Sequence, residues 1–150
     1  MTATNHVLTG ALIAAAVHNP LIALPAAFTS HFVLDALPHF GAKWIKLDSV
    51  YFKTYLLGDM TTALLCLLLL LSLQPTHVWV ILAGGVLGAS PDLMWFHNFL
   101  AVNLHKPVVV PGVIRRFHAR IQWYERPLGA IVEVGWCLTM LTLLKLTLNK

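Results

Sequence analysis

The chain has 150 residues, 58% of them hydrophobic and only 11% charged, with a mean hydropathy of +0.76. An average soluble domain carries about 25% charged residues and keeps about 30% of its unfolded surface in water at this size, so soluble enzymes, disordered tails, coiled coils and disulfide scaffolds all fit poorly. Ten Lys and Arg against six Asp and Glu give a formal charge of +4. In an apolar chain this excess fits the Lys- and Arg-rich cytoplasmic loops of a membrane protein better than a nucleic-acid surface.

The expected architecture is all-α: a single membrane domain over 1–150, a polytopic bundle of four to five transmembrane helices. Apolar stretches at about 4–18, 21–39, 54–73, 77–97 and 128–146 predict the helices, since a bilayer crossing takes about 17–25 residues. The first is short and reads as a re-entrant or buried helix. It resembles a signal-peptide core, but no Lys or Arg precedes it, so it is kept in the mature protein. Asn19-Pro20 makes a tight connection to the second helix, because the residue before proline avoids the helical region. Cys66 and Cys137 lie within apolar runs and read as small core hydrophobes. Gly84 and Gly88 form a GxxxG pair that predicts close helix packing.

The loops at 40–53 and 98–127 set the orientation. They hold Lys43, Lys46, Lys53, Lys106, Arg115, Arg116, Arg120 and Arg126, eight of the ten basic residues. If all five stretches cross, both loops fall on one side, which becomes the cytoplasmic one. The expected location is a bacterial or archaeal cytoplasmic membrane, N-terminus inside and site facing the cytoplasm, with the lipid bilayer as partner and no nucleic acid.

The acids carry the chemistry. Only Asp48 and Glu125 lie in loops, whereas Asp35, Asp59, Asp92 and Glu133 are embedded in four different apolar stretches without a basic residue nearby in the same helix. A carboxylate at membrane depth costs several kcal/mol unless it is paired or hydrated, which makes it a candidate functional residue. At a 1.5 Å rise per residue all four fall ~6–8 Å inside the cytoplasmic ends of their expected helices. Histidines join that layer. His31, Asp35 and His39 read HxxxDxxxH, a spacing that predicts one shared helical face. His6 starts the first helix on the same side, and His97, at the end of the fourth, is the weakest ligand of the set. Imidazoles and carboxylates converging in a dry pocket suit zinc or another divalent metal, and the cation offsets the burial of acids that lack basic partners.

The expected ligands are therefore His6, His31, Asp35, His39, Asp59 and Asp92. Glu133 is assigned as a catalytic base or an orienting residue, and His118, in RRFHARIQWYERP (115–127), as a general acid or further ligand. Arg116 and Arg120, one turn apart, are assigned to the anionic group of the substrate.

Together, His6, SHFVLDALPHFG (30–41), GD (58–59), GASPDL (88–93) and RRFH (115–118) give the chain its family likeness. It resembles the small, predicted membrane-bound metal-dependent hydrolases of the LexA-regulated inner-membrane type, and its HxxxD helix is similar to the zinc-dependent phospholipase C and S1/P1 nuclease group. The resemblance implies a metal site at His6, His31, Asp35, His39 and Asp92. The chain departs from the family where PDxD becomes Pro91-Asp92-Leu93-Met94 and an HRG-type motif becomes FHARIQ. The expected function is hydrolysis of a phosphoester in a lipid or lipid-linked substrate by metal-activated water. An ion or proton carrier and a non-catalytic metal-binding scaffold are the alternatives left open.

Overall fold

A computed structural model describes residues 1–41, 45–107 and 112–149. The described residues form helices and turns without a strand. The helices are α1 (Ala3–Ala16), α2 (Pro20–Ala36), α3 (Val50–Leu73), α4 (Val78–Ala89), α5 (Leu93–Asn103), α6 (Val113–Ile121) and α7 (Gly129–Leu148). A 3-10 turn over Ser90–Asp92 joins α4 to α5, so Val78–Asn103 is one broken rod. That rod, α3 and α7 are long and apolar enough to cross a membrane, while α1 and α2 are shorter apolar helices. The chain is thus an all-α membrane bundle.

Polarity relative to lipid explains the layering. Helix α3 turns most of its leucines outward, with Leu57, Leu64, Leu65, Leu68 and Leu69 at least half exposed, as expected of a helix solvated by acyl chains. The short helix α1 lies inside. Every residue of α1 from Thr4 to Ala11 is buried, and α2, α3, α4 and α7 all pack on it. Small residues permit this. A Cβ on Gly10 would fall 2.2 Å from the Gly84 carbonyl oxygen, and one on Gly88 would fall 2.5 Å from the His6 carbonyl oxygen. The GxxxG pair of α4 therefore lets the α1 backbone lie directly against it, the small-residue packing that the sequence predicts.

Several boundaries differ from the sequence reading, each for a local reason. Helix α2 stops at Ala36 with Leu37 extended (ψ 160°), because Pro38 disfavours helix in the residue before it. It does not reach 39. Helix α3 starts at Val50 rather than 54, since Ser49 Oγ accepts the Phe52 N–H at 3.2 Å as an N-cap. The loop expected at 98–127 contains the end of α5 and all of α6. Asp59 consequently sits nine residues into α3, about 14 Å along its axis rather than ~8 Å. Lys43 and the side chain of His97 lie outside the described residues.

Candidate metal centre

Three separate pieces of backbone deliver the site. His31 and Asp35 are one turn apart on α2 and share a face, with Nε2 and Oδ2 3.3 Å apart. Asp92 comes from the break in the α4–α5 rod. Pro91 lacks the N–H that would continue α4, and the Leu87 carbonyl instead accepts the Ser90 N–H and, at 2.9 Å, the Ser90 hydroxyl. The tightened turn brings Asp92 Oδ1 to 3.7 Å from His31 Nε2. His118 enters from α6, with Nε2 2.7 Å from Asp35 Oδ2 and 3.0 Å from His31 Nε2.

One ligand atom from each of these four residues lies within 4.8 Å of the other three. His31 and Asp35 are fully buried, His118 nearly so, and the Asp92 side chain keeps a 21% exposed edge. Zinc bonds to N and O of about 2.0–2.2 Å imply tetrahedral ligand separations of about 3.3–3.6 Å. Of the six separations among these atoms, four are 2.7, 3.0, 3.3 and 3.7 Å, and all six stay within 4.8 Å.

The setting of His31 suits a cation. Its Nδ1 lies 2.9 Å from the Gly88 carbonyl oxygen, which only accepts, so Nδ1–H donates there and Nε2 is the ring atom left for a ligand. Nε2 faces two carboxylate oxygens and a second imidazole nitrogen. The Gly88 carbonyl thus does what outer partners of metal-binding histidines do, fixing tautomer and ring orientation.

A surrounding layer holds these groups. His6 stacks on His31 at 3.9 Å between ring centroids, and its Nε2 lies 3.1 Å from Asp35 Oδ1. Gln122 Nε2 donates to Asp35 Oδ2 at 3.1 Å. The Met1 amino group contacts Asp35 Oδ1. Among the described residues it is the only non-histidine cation on these carboxylates.

The other expected residues go elsewhere. Asp59 accepts the backbone N–H groups of Ala3 (2.7 Å) and Thr4 (3.0 Å) and the Thr4 hydroxyl (2.7 Å). Helix α1 has no side-chain cap of its own, so α3 caps it from outside. His39 lies beyond the end of α2, off the face shared by His31 and Asp35. Its Nδ1–H donates to Leu37 O at 2.8 Å, and its Nε2 is 3.8 Å from Glu125 Oε1. Glu133 accepts the Phe40 N–H at 3.1 Å, clamping the His39 segment to α7. Gly129 makes that clamp possible, because a Cβ there would fall 2.0 Å from the His39 carbonyl carbon.

Arg116 and Arg120 are exposed while His118 is buried. Two residues rotate an α-helix by about 200°, so both arginines lie opposite His118 on the amphipathic α6. Sequence reasoning missed the Gly88 carbonyl, the Met1 contact and Gln122. Only Gln122 left a signal, its position one turn beyond His118.

Beside the centre lies a cavity of about 530 Å³ between α3 and α5. Asp92 belongs to both the centre and the cavity wall. Comparison with family models, curated proteins and solved structures returned no match.

Proposed function

We propose that this membrane protein is a metal-dependent hydrolase whose His31, Asp35, Asp92 and His118 hold a divalent cation, zinc by donor type, and whose substrate is a phosphoester in a lipid or lipid-linked molecule. One observation carries the reading: His31 Nε2, its ring oriented by the Gly88 carbonyl, converges with two carboxylates and a second imidazole in a buried cluster. Burying carboxylates is costly without a compensating cation, and the Met1 amino group reaches Asp35 but not Asp92 among the described ion pairs.

A divalent ion bound by such a set supplies Lewis acidity toward a phosphoryl oxygen and makes water nucleophilic at neutral pH. The chain's own residues position and shield. Gln122 and His6 hold Asp35 from two sides, the Gly88 carbonyl aims His31, and the exposed edge of Asp92 is the route by which substrate reaches the centre from the cavity. His118, by its contacts, joins the ligands rather than acting as a separate acid. Glu133 acts on the backbone of the His39 segment and so positions one wall. Lys46, Lys53, Lys106, Arg115, Arg116, Arg120 and Arg126 flank this end of the bundle in the sequence, which favours a cytoplasmic orientation of the site. The same assignment agrees with the resemblance to the small membrane-bound metal-dependent hydrolases.

The test is hydrolysis of phospholipid and lipid-pyrophosphate panels by the purified chain, alongside His31→Ala and Asp92→Asn. Turnover that needs added divalent metal and falls at least a hundredfold in both variants is expected. Turnover unchanged by either substitution, or no turnover by metal-loaded protein on any panel member, would overturn the hydrolase assignment.

A further inference from the structure

The cavity between α3 and α5 has two unlike ends. One wall is hydrocarbon and aromatic, built from Leu56, Met60, Ala63 and Leu64 of α3 with Trp95 and Phe96 of α5. Its volume of about 530 Å³ is in the range of sites that enclose a small organic ligand, roughly 300–1,000 Å³. Met60 (50% exposed), Leu64 (55%) and Leu93 (68%) line the cavity and also face outward. The cavity therefore opens sideways between two helices of membrane-spanning character, onto the level where acyl chains lie.

The other end is polar, and two of its buried atoms lack a partner among the described residues. His39 is 1% exposed, and among the described residues its Nε2 has no hydrogen-bond partner. Nδ1–H is committed to the Leu37 carbonyl, which leaves Nε2 as the ring atom open to a ligand. It lies 3.8 Å from an oxygen of Glu125, an acceptor that lines the same cavity. Asn98 Oδ1, on the α5 wall, is also buried without a partner among the described residues. Buried acceptors without donors are costly, and a ligand rich in hydroxyl groups satisfies them. A phosphate does not, because it would set anion against carboxylate. Arg116 and Arg120 are absent from this wall.

We infer that the cavity binds a lipid with a free-hydroxyl head group, of glycerol or sugar type, whose chain lies along α3 and α5 and whose hydroxyls donate to His39 Nε2 and Glu125. This rests on the hydrolase reading only for its consequence, that the phosphoester of such a lipid is presented to the centre past Asp92. The binding itself needs no metal.

Trp95 on the cavity wall provides the readout. The full chain in micelles is titrated with a 1-monoacylglycerol carrying a dibrominated acyl chain, and with the methyl ester of the same dibrominated acid, which lacks hydroxyls. The quenching that disappears in Trp95→Phe is the signal. Saturable quenching by the monoacylglycerol is expected, at least tenfold tighter than by the ester. His39→Phe should remove most of that preference, consistent with about one hydrogen bond. Ala63→Leu and the bulkier Ala63→Trp should weaken both probes in that order. Equal affinity for the two probes, a preference that survives His39→Phe, or quenching unaffected by both Ala63 substitutions would overturn the inference. Repeating the titration with His31→Ala separates the two readings. Retained monoacylglycerol binding in that variant supports the cavity assignment even if the chain proves to hold no metal, and lost binding there contradicts a metal-independent pocket.

Discussion

Replacing Gly88 with alanine tests how tightly the bundle and the centre depend on each other. A Cβ at this position meets the His6 carbonyl oxygen at 2.5 Å and Gly10 Cα at 3.3 Å, both backbone atoms of α1. Neither can swing aside as a side chain would, so α1 and α4 must separate. Overpacking of this kind costs typically about 1–3 kcal/mol, against which alanine returns about 0.8–1.0 kcal/mol of helix propensity. With two backbone contacts affected, the upper part of the cost applies, and a net loss of roughly 2 kcal/mol is expected. The same shift disturbs the 2.9 Å contact from His31 Nδ1 to the Gly88 carbonyl and the stacking of His6 on His31. Loss of such an orienting partner weakens metal affinity about 10–100-fold. Gly58→Ala is the control, because nothing lies within 4 Å of a Cβ there, and it should be neutral or slightly stabilising. Thermal unfolding in micelles, followed by tryptophan fluorescence, and a zinc titration read both effects. Gly88→Ala that unfolds no earlier than Gly58→Ala and binds metal as tightly would refute the reasoning.

Asp59→Asn should lower stability by about 1–2 kcal/mol, since a charged cap on α1 becomes a neutral one, while metal content stays at the level of the unaltered protein; thermal unfolding with metal analysis checks both. Arg116→Ala and Arg120→Ala should leave metal affinity within twofold in the same titration, because both side chains point away from His118. Gly129→Ala should displace the His39 segment, as its Cβ would fall 2.0 Å from the His39 carbonyl carbon. Protease cleavage near residue 41 should then accelerate, and cleavage at the wild-type rate would contradict the clamp. Gln122→Leu removes one of the hydrogen bonds to Asp35 and should weaken metal binding by up to about tenfold, measurable by competition with a chelating dye.

Much of the architecture was legible because lipid imposes a coarse rule. Long apolar stretches must become helices, and buried acids in them must meet partners. Asp35 and Asp92 were selected by that rule, as were Asp59 and Glu133; His31 came from its spacing to Asp35, and the GxxxG pair announced where α4 would touch another helix. What escaped the reading depends on tertiary direction. His39 keeps the i+8 spacing from His31, but Pro38 ends the helix first, so periodicity continued past the point where the helix existed. Asp59 lies among the acids in sequence pattern, yet the nearest unmet demand is the set of free N–H groups at the start of α1, and it turns to them. For His118 the sequence left two roles open, general acid or further ligand, since the choice depends on which face of α6 the bundle covers. The Gly88 carbonyl leaves no trace in composition or spacing at all, because every residue has one.

Metal analysis of the purified chain and four variants decides whether these residues hold a cation. Stoichiometric divalent metal is expected in the unaltered protein, with its loss in His31→Ala and His118→Ala and its retention in His39→Ala and Asp59→Asn. A protein without stoichiometric metal, or a His118→Ala variant that keeps it, would show that they do not.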